Sequence, residues 1–221
     1  MNKKLEKFNE RLVHVAERIV YDVFKTETAA LGLSELINFI VFEDSCLPMI
    51  MAEKTRESYD YTSLEEFIDR YSSIEEHIRT DIMTFMVWDY VKLLDDGRII
   101  PSADILLPKS TLTRILIACD DDEKIMAAMR IYIRHELGHA IDEIKLIGDE
   151  TNENAAAEKR NESCKLLNKH YKAYYKMLDK YNITDEKLKT KLYYMIPEEA
   201  SANKNVGITF EDIWNADQML K

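Results

Sequence analysis

The pentapeptide His135-Glu136-Leu137-Gly138-His139 is the stretch whose residue types and spacing point most directly to chemistry. On an α-helix, residues four apart lie one above the other, so His135 and His139 can direct two imidazoles at one ion. Glu136 is rotated by about 100° from His135, within reach of a metal-bound water without being a ligand. The spacing predicts zinc held by two histidines, with a glutamate that accepts the proton of the attacking water.

A helix that carries two histidines by chance is the alternative interpretation. This pattern arises by chance on the order of once per hundred chains of this length and composition. Helical winding predicts a core-facing side made of Met126, Met129, Ile133, Leu137, Ala140 and Ile144. The two histidines fall on a separate face, together with Ala128, Tyr132 and Asp142. These companions indicate a covered cleft, in which imidazoles need partners, and the context therefore favours a metal site.

Hydrolytic zinc sites usually have three protein ligands and one open position. The extended pattern H-E-x-x-H-x-x-G-x-x-H is excluded, because its glycine and last histidine are replaced by Asp142 and Lys145. A downstream glutamate is the other common third ligand. The candidates are Glu150, Glu153, Glu158, Glu162, Glu198 and Glu199.

The segment IPEEASANK contains the preferred candidate. Pro197 suits the first turn of a helix, and Glu199 lies four residues before Asn203 on the same face. The Glu199 carboxylate can therefore bind zinc while the Asn203 amide hydrogen-bonds the distal nitrogen of a ligand histidine. Two alternatives stay open. Glu199 can be an ordinary first-turn glutamate favoured by the helix dipole, and Glu158, closer in sequence to His139, is the rival ligand.

Four further side chains are candidates for supporting roles. Asp142, on the histidine face, can orient an imidazole or remain a solvated acid. The tetrahedral oxyanion of peptide hydrolysis needs a donor besides the zinc. Tyr193 and Tyr194, just before the predicted ligand helix, and His170 are candidate donors, with packing or surface positions as the alternative for each.

HELGH followed by EASAN resembles the glutamate-zincin (gluzincin) pattern, in which the third ligand begins an E-x-x-x-[ND] helix. More narrowly, RHELGHAID with PEEASAN resembles the small intracellular metallopeptidases of phages and mobile elements, the ImmA/IrrE-like group with its E-x-x-A-N segment. In that comparison Glu199 matches the ligand, and Ala202 and Asn203 match the A-N pair. The resemblance implies a zincin-like core, a zinc cofactor and peptidase activity.

The first half of the chain is predicted to be mainly helical. Apolar residues recur at helical spacing from Leu5 to Phe24, which predicts an amphipathic helix. The following GLSELINFIVF is compatible with either a helix or a buried strand. Capping boxes that begin at Ser63 and Ser73 predict helix starts, and the second opens a long helix ending near Gly97.

The second half combines the predicted β region with the catalytic helices. Branched runs at 99–100, 105–107 and 112–117 are separated by Pro and Ser turns, which is typical of strands. By analogy with zincins, the strand at 112–117 is the edge expected to pair with an extended peptide. Helices are predicted over about 122–147, 152–180, 185–195 and 197–205, with a last helix capped by Thr209.

These elements predict an α+β fold, predominantly α-helical, with a zincin-like core. That core has a small β-sheet, an active-site H-E-x-x-H helix and added N-terminal and C-terminal helices. With 221 residues, and with only 5 Gly and 4 Pro, we expect one metallopeptidase domain over 1–221. Its helical N-terminal part spans 1–95, and the β region with the catalytic helices spans 96–221.

Composition limits the partners and the compartment. A formal net charge of −11 is unsuited to following a phosphate backbone, so we expect no nucleic-acid partner. No segment approaches the roughly 18 apolar residues of a membrane span, and the charged N-terminus lacks a signal-peptide core. The three cysteines are widely separated and form no C-x-x-C pair. We expect a cytoplasmic protein, and the resemblance extends that expectation to the cytoplasm of a phage host.

The leading functional prediction is a zinc-dependent metalloprotease that hydrolyses peptide bonds of a cytosolic protein target. One alternative is a zinc-stabilised, zincin-fold binding protein that sequesters a protein partner without proteolysis. A hydrolase acting on a non-peptide amide is the second alternative. The partner expected from the leading prediction is a protein or peptide substrate.

Overall fold

The computed structural model describes residues 3–42, 86–93, 99–148, 150 and 152–220, and these are predominantly helical around a small sheet. The α-helices are Lys3–His14 (α1), Tyr21–Ala30 (α2), Lys109–Ala118 (α3), Asp122–Ile147 (α4), Glu153–Lys180 (α5), Glu186–Tyr193 (α6), Pro197–Val206 (α7) and Phe210–Met219 (α8). A π-helix spans Val15–Val20, and the strands are Ile37–Phe42 (β1), Met86–Leu93 (β2) and Ile99–Pro108 (β3). None of the described helices has the length and apolar content to cross a bilayer.

The N-terminal helical run is confirmed, with one change in its apolar register. The π-helix between α1 and α2 uses i→i+5 bonding, which takes more residues per turn than an α-helix. As a result Val15 and Val20 are fully buried, whereas Ala16, expected on the core face, is only partly buried. The core side of the run is formed by Leu12, Val15, Ile19, Val20, Val23 and Phe24.

The sheet has the strand order β1-β3-β2, with β1 parallel and β2 antiparallel to the central strand β3. Phe39 of β1 and Val87 of β2 both pair with Ile105 of β3. Ala103, Ile105 and Leu107 alternate along β3 and are buried, so one face of this strand packs into the core. The segment that sequence alone left open between helix and strand therefore contains a strand, β1.

Two sequence predictions in this region are wrong. The predicted long helix ending near Gly97 is contradicted by β2, whose aromatic and branched residues pair along its length with β3. Together, β1 and β2 show that the expected helical part over 1–95 also contains strands. The predicted strand at 112–117 is part of helix α3. Its Leu112 and Ile115 are buried while Ile117 is 73% exposed, a one-sided pattern of helical period. The helix starts predicted at Ser63 and Ser73 lie outside the described residues.

Helix α4 has the predicted length and lies at the centre of the molecule. The Asp121 side chain caps its N-terminus by accepting from the backbone N–H groups of Glu123 and Lys124. Its core face is buried as predicted at Met129, Ile133, Leu137 and Ala140, but Met126 is 40% exposed and is not core. The opposite face is also covered, because Ala128, Tyr132 and His135 are buried as well.

Polar contacts fix the helices around α4. Glu27 of α2 forms ion pairs with Arg130 and Arg134 of α4, at 3.0 and 3.5 Å. Arg134 also donates to the Val206 carbonyl at the C-terminal end of α7, at 2.8 Å. The Tyr132 hydroxyl donates to Asp217 of α8. The predicted helices after α4 are all present, and Thr209 caps α8 in a capping box with Asp212.

Candidate metal centre

The close contact between α4 and α7 depends on two small residues. A Cβ atom on Gly138 would lie 2.1 Å from the Ala202 carbonyl oxygen, far inside ordinary contact distance. Ala202 itself is fully buried. Because neither residue has a side chain large enough to separate the backbones, the first turn of α7 is brought against the histidines of α4. Glu199, one turn before Ala202, thereby faces His135 and His139.

Three potential ligand atoms converge at this contact. The Glu199 Oε2 atom lies 3.0 Å from His135 Nε2 and 3.4 Å from His139 Nε2. The two imidazole nitrogens are 3.2 Å apart. His135 and Glu199 are buried, while the His139 side chain is 24% exposed, so the cluster opens to solvent on the His139 side. Among the described residues, this is the group of histidine and acidic side chains arranged to hold a metal ion.

The outer hydrogen bond of His135 sets its tautomer. The Asn203 Oδ1 atom lies 2.8 Å from His135 Nδ1, and because this oxygen can only accept, Nδ1 carries the proton. The lone pair of Nε2 therefore faces Glu199 Oε2, a buried atom that accepts no hydrogen bond. Two acceptor atoms that face each other in a buried site need a cation between them. The position of Asn203 is the one predicted from its spacing to Glu199.

The carboxylates near His139 favour a positive charge on its imidazole. Burial alone would lower the pKa of His139, but the close Glu199 carboxylate, with the charges of Glu136 and Asp142, raises it to about 9. Burial would raise the pKa of Glu199, yet its contacts with the two histidines hold it well below its ordinary value. In the metal-free protein a proton supplies the positive charge, and an ion that binds must displace it.

Glu136 lies next to the three ligands without joining them. Its side chain is partly exposed, and it forms no hydrogen bond or ion pair among the described residues. Burial raises the pKa of Glu136, a change that the nearby histidines oppose and that Glu199 reinforces. A carboxylate whose pKa is raised, and which is not held by another group among the described residues, is suited to accept a proton.

Tyrosines contact two of the ligands, Glu199 and His135. The Tyr171 hydroxyl, on α5, donates to Glu199 Oε1, and it also lies 3.3 Å from the Tyr193 hydroxyl. The Tyr194 ring packs edge-on against His135, with ring centroids 5.2 Å apart. Of the three candidate oxyanion donors, Tyr194 is the one whose ring packs against a ligand. Sequence reasoning missed Tyr171, since no motif spacing relates α5 to the histidines.

Asp142 has a different role from the one predicted. Its Oδ1 atom accepts from Ser201 Oγ at 3.0 Å and from Asn205 Nδ2 at 2.7 Å, so its hydrogen bonds connect α4 to α7 and do not orient an imidazole. The Asn205 amide also donates to the Gly138 carbonyl at 3.0 Å. Ser201 and Asn205 were not identified from sequence, although their i, i+4 spacing places them on one face of α7.

Three of the other glutamate candidates are exposed or have other partners. Glu158, the rival third ligand, is exposed on α5. Glu150 pairs with Lys159 at 3.1 Å. Glu198 accepts from His170 Nδ1 at 2.8 and 2.9 Å, so His170 is engaged by Glu198 and is not among the ligands. The geometry thus selects Glu199 from the candidates that sequence alone left open.

Comparison with known proteins gives no relative from which a role can be transferred. No family model, curated protein or solved structure matches the chain.

Proposed function

We propose that the protein is a zinc-dependent metallopeptidase that cleaves a peptide bond in a protein target. The observation that carries the proposal is the convergence of His135 Nε2, His139 Nε2 and Glu199 Oε2 beside the carboxylate of Glu136. Two imidazoles and one carboxylate are a common donor set for catalytic zinc. The buried Glu199 Oε2 atom, which accepts no hydrogen bond, supports a cation at this position.

Zinc would be held by His135, His139 and Glu199, and would supply Lewis acidity that lowers the pKa of a coordinated water towards neutrality. Glu136 would accept a proton from the water that attacks the substrate carbonyl, and its raised pKa suits this role. Asn203 keeps His135 in the tautomer that presents Nε2 to the ion. Tyr194, against the His135 ring, is the proposed donor to the oxyanion.

The fold around the site supports the same proposal. A three-stranded mixed sheet packs beside the helix of the H-E-x-x-H sequence, and a second helix brings the carboxylate, which agrees with the zincin-like arrangement expected from the resemblance. The opening on the His139 side gives a substrate access to the ligands and to Glu136. An intracellular protein remains the proposed target.

Exchange of Glu136 for glutamine tests the proposal. We expect Glu136→Gln to keep one zinc per chain and to lose proteolysis, because the amide cannot accept the proton. Comparison of the proteomes of cells that express the wild type or this variant reveals the substrate as a protein whose cleavage products occur with the wild type only. Glu158→Gln, at an exposed glutamate on α5, is the matched control and should behave as the wild type.

A biological effect that survives Glu136→Gln would contradict the peptidase proposal. With zinc still bound, that outcome would instead indicate the binding protein whose fold is stabilised by the metal. Absence of zinc from the wild-type chain would contradict both.

A further inference from the structure

The two oxygens of the Glu199 carboxylate have separate partners. Oε2 faces the imidazole nitrogens of His135 and His139, at 3.0 and 3.4 Å. Oε1 accepts a hydrogen bond from the Tyr171 hydroxyl. A carboxylate can bind a metal ion through one oxygen or through both. Which of the two it does decides how many positions remain for water, because a second carboxylate oxygen fills a position that water would otherwise take.

We infer that Tyr171 is a positioning residue that makes Glu199 a ligand through Oε2 alone, so that the metal keeps an open position for water. This inference rests on the proposed function, since it requires a metal ion between Glu199 and the two histidines. It goes beyond the ligand set, because His135, His139 and Glu199 by themselves allow either mode of binding. A closed structural site and an open catalytic site differ in this position.

Neighbouring contacts hold the Tyr171 side chain in position to donate to Glu199. Tyr171 donates through its hydroxyl from a part-buried position. Its ring stacks on the Tyr193 ring, with centroids 5.8 Å apart, which fixes the direction of the hydroxyl. A metal that took Oε1 would compete with this part-buried hydroxyl for the same oxygen, and weakening of the hydrogen bond costs free energy.

A second contact holds the helix of Tyr171 in place. His170, the preceding residue of α5, is bonded through Nδ1 to both oxygens of Glu198, the residue before Glu199. Two consecutive residues of α5 therefore bind two consecutive residues in the first turn of α7. The contact between His170 and Glu198 holds α5 against α7 next to Tyr171 and Glu199. Loss of the Tyr171 hydroxyl therefore removes the hydrogen bond to Oε1 while α5 stays against α7.

Cobalt in place of zinc reports the coordination directly. Zn²⁺ has a filled d shell and is silent in the visible region, whereas Co²⁺ has d–d bands that are much stronger in four-coordinate than in five-coordinate sites. The experiment records these bands for the full chain at saturating Co²⁺, in the wild type, in Tyr171→Phe and in Tyr174→Phe. Tyr174, on the same helix, donates to the Lys189 carbonyl at 3.2 Å and is the matched control.

We expect intense four-coordinate bands for the wild type and for Tyr174→Phe, and a several-fold weaker absorbance per bound cobalt for Tyr171→Phe, in which Oε1 becomes free to bind. A wild-type spectrum for Tyr171→Phe, whatever its cobalt affinity, would overturn the inference. If the wild type binds no cobalt, the inference and the proposed metal site fail together. If it binds cobalt and Glu136→Gln abolishes proteolysis while Tyr171→Phe keeps the wild-type spectrum, the inference alone fails.

Discussion

Replacement of Gly138 by alanine tests whether the contact between α4 and α7 sets the metal site. The added Cβ would lie 2.1, 2.6 and 2.8 Å from the carbonyl oxygen, carbonyl carbon and Cα of Ala202. All three are backbone atoms, so no change of rotamer relieves the overlap. Ordinary contact begins at 3.4 Å, and α7 must therefore move by about 1.3 Å at this point.

This displacement is a substantial fraction of the distances between the ligand atoms. Glu199 Oε2 lies only 3.0 and 3.4 Å from the imidazole nitrogens of His135 and His139, and it moves with α7. Loss of orientation around a metal ligand typically weakens metal binding by about 10- to 100-fold. We expect a fall of that size in the zinc affinity of Gly138→Ala.

The stability of the metal-free protein changes less, because two effects oppose each other. Alanine is a better helix former than glycine by about 1 kcal/mol. Overpacking of a close contact costs about 1–3 kcal/mol. We therefore expect the free energy of unfolding of Gly138→Ala to fall by about 0–2 kcal/mol, the difference between these effects.

The assay measures both quantities. Competition with a chromophoric chelator gives the zinc affinity, and urea unfolding in excess chelator gives the free energy of unfolding. Ala127→Gly, at an exposed position of the same helix, is the control for helix propensity. It should lose about 1 kcal/mol of stability and keep wild-type zinc affinity. A Gly138→Ala protein with wild-type zinc affinity and about 1 kcal/mol of added stability would refute the close backbone contact.

Two further predictions concern the groups that prepare the ligands. Asn203→Ala should weaken zinc binding by about 10- to 100-fold, because His135 Nδ1 loses its acceptor. Unchanged zinc affinity in competition with a chelator would contradict this prediction. Asn168→Ala, at an exposed position, is the control. Zinc affinity should rise by about tenfold per pH unit from neutral pH to about 9. The reason is that zinc binds only neutral imidazole, so the proton of His139 must leave first. An affinity that does not change over this range would show that His139 is already neutral.

The helices after residue 120 could be predicted almost to the residue because their ends are determined locally. Asp121, Asn152, Asp185 and Thr209 each accept from backbone N–H groups of the turn that follows, which is the interaction that favours these residue types at N-caps. Apolar residues at helical period supply the rest of the signal. Such features lie within a few residues of each other in sequence and need no knowledge of the tertiary structure.

The region before residue 120 was harder to predict because its local signals are ambiguous. Met86–Leu93 and Lys109–Ala118 are both rich in branched or aromatic residues, yet the first forms a strand and the second a helix. The pairing of β2 with β3 is a contact between distant segments, and it decides the conformation of the first. In the second, the burial of Leu112 and Ile115 beside an exposed Ile117 has the period of a helix, a pattern that needs the tertiary structure to be seen.

The candidate site also combines residues that could be predicted from sequence with residues that could not. His135, His139, Glu199 and Asn203 could be predicted because each pair shares one helix, where spacing fixes the face. Tyr171 could not, since its position depends on how α5 packs against α7. The residues that motif patterns treat as spacers also have a physical role: Gly138 and Ala202 set the distance between the two helices. A chain with both motifs but a larger residue at Gly138 would have the ligands without the separation that lets them bind one ion. A search for further sites of this kind should therefore require a small residue at both positions.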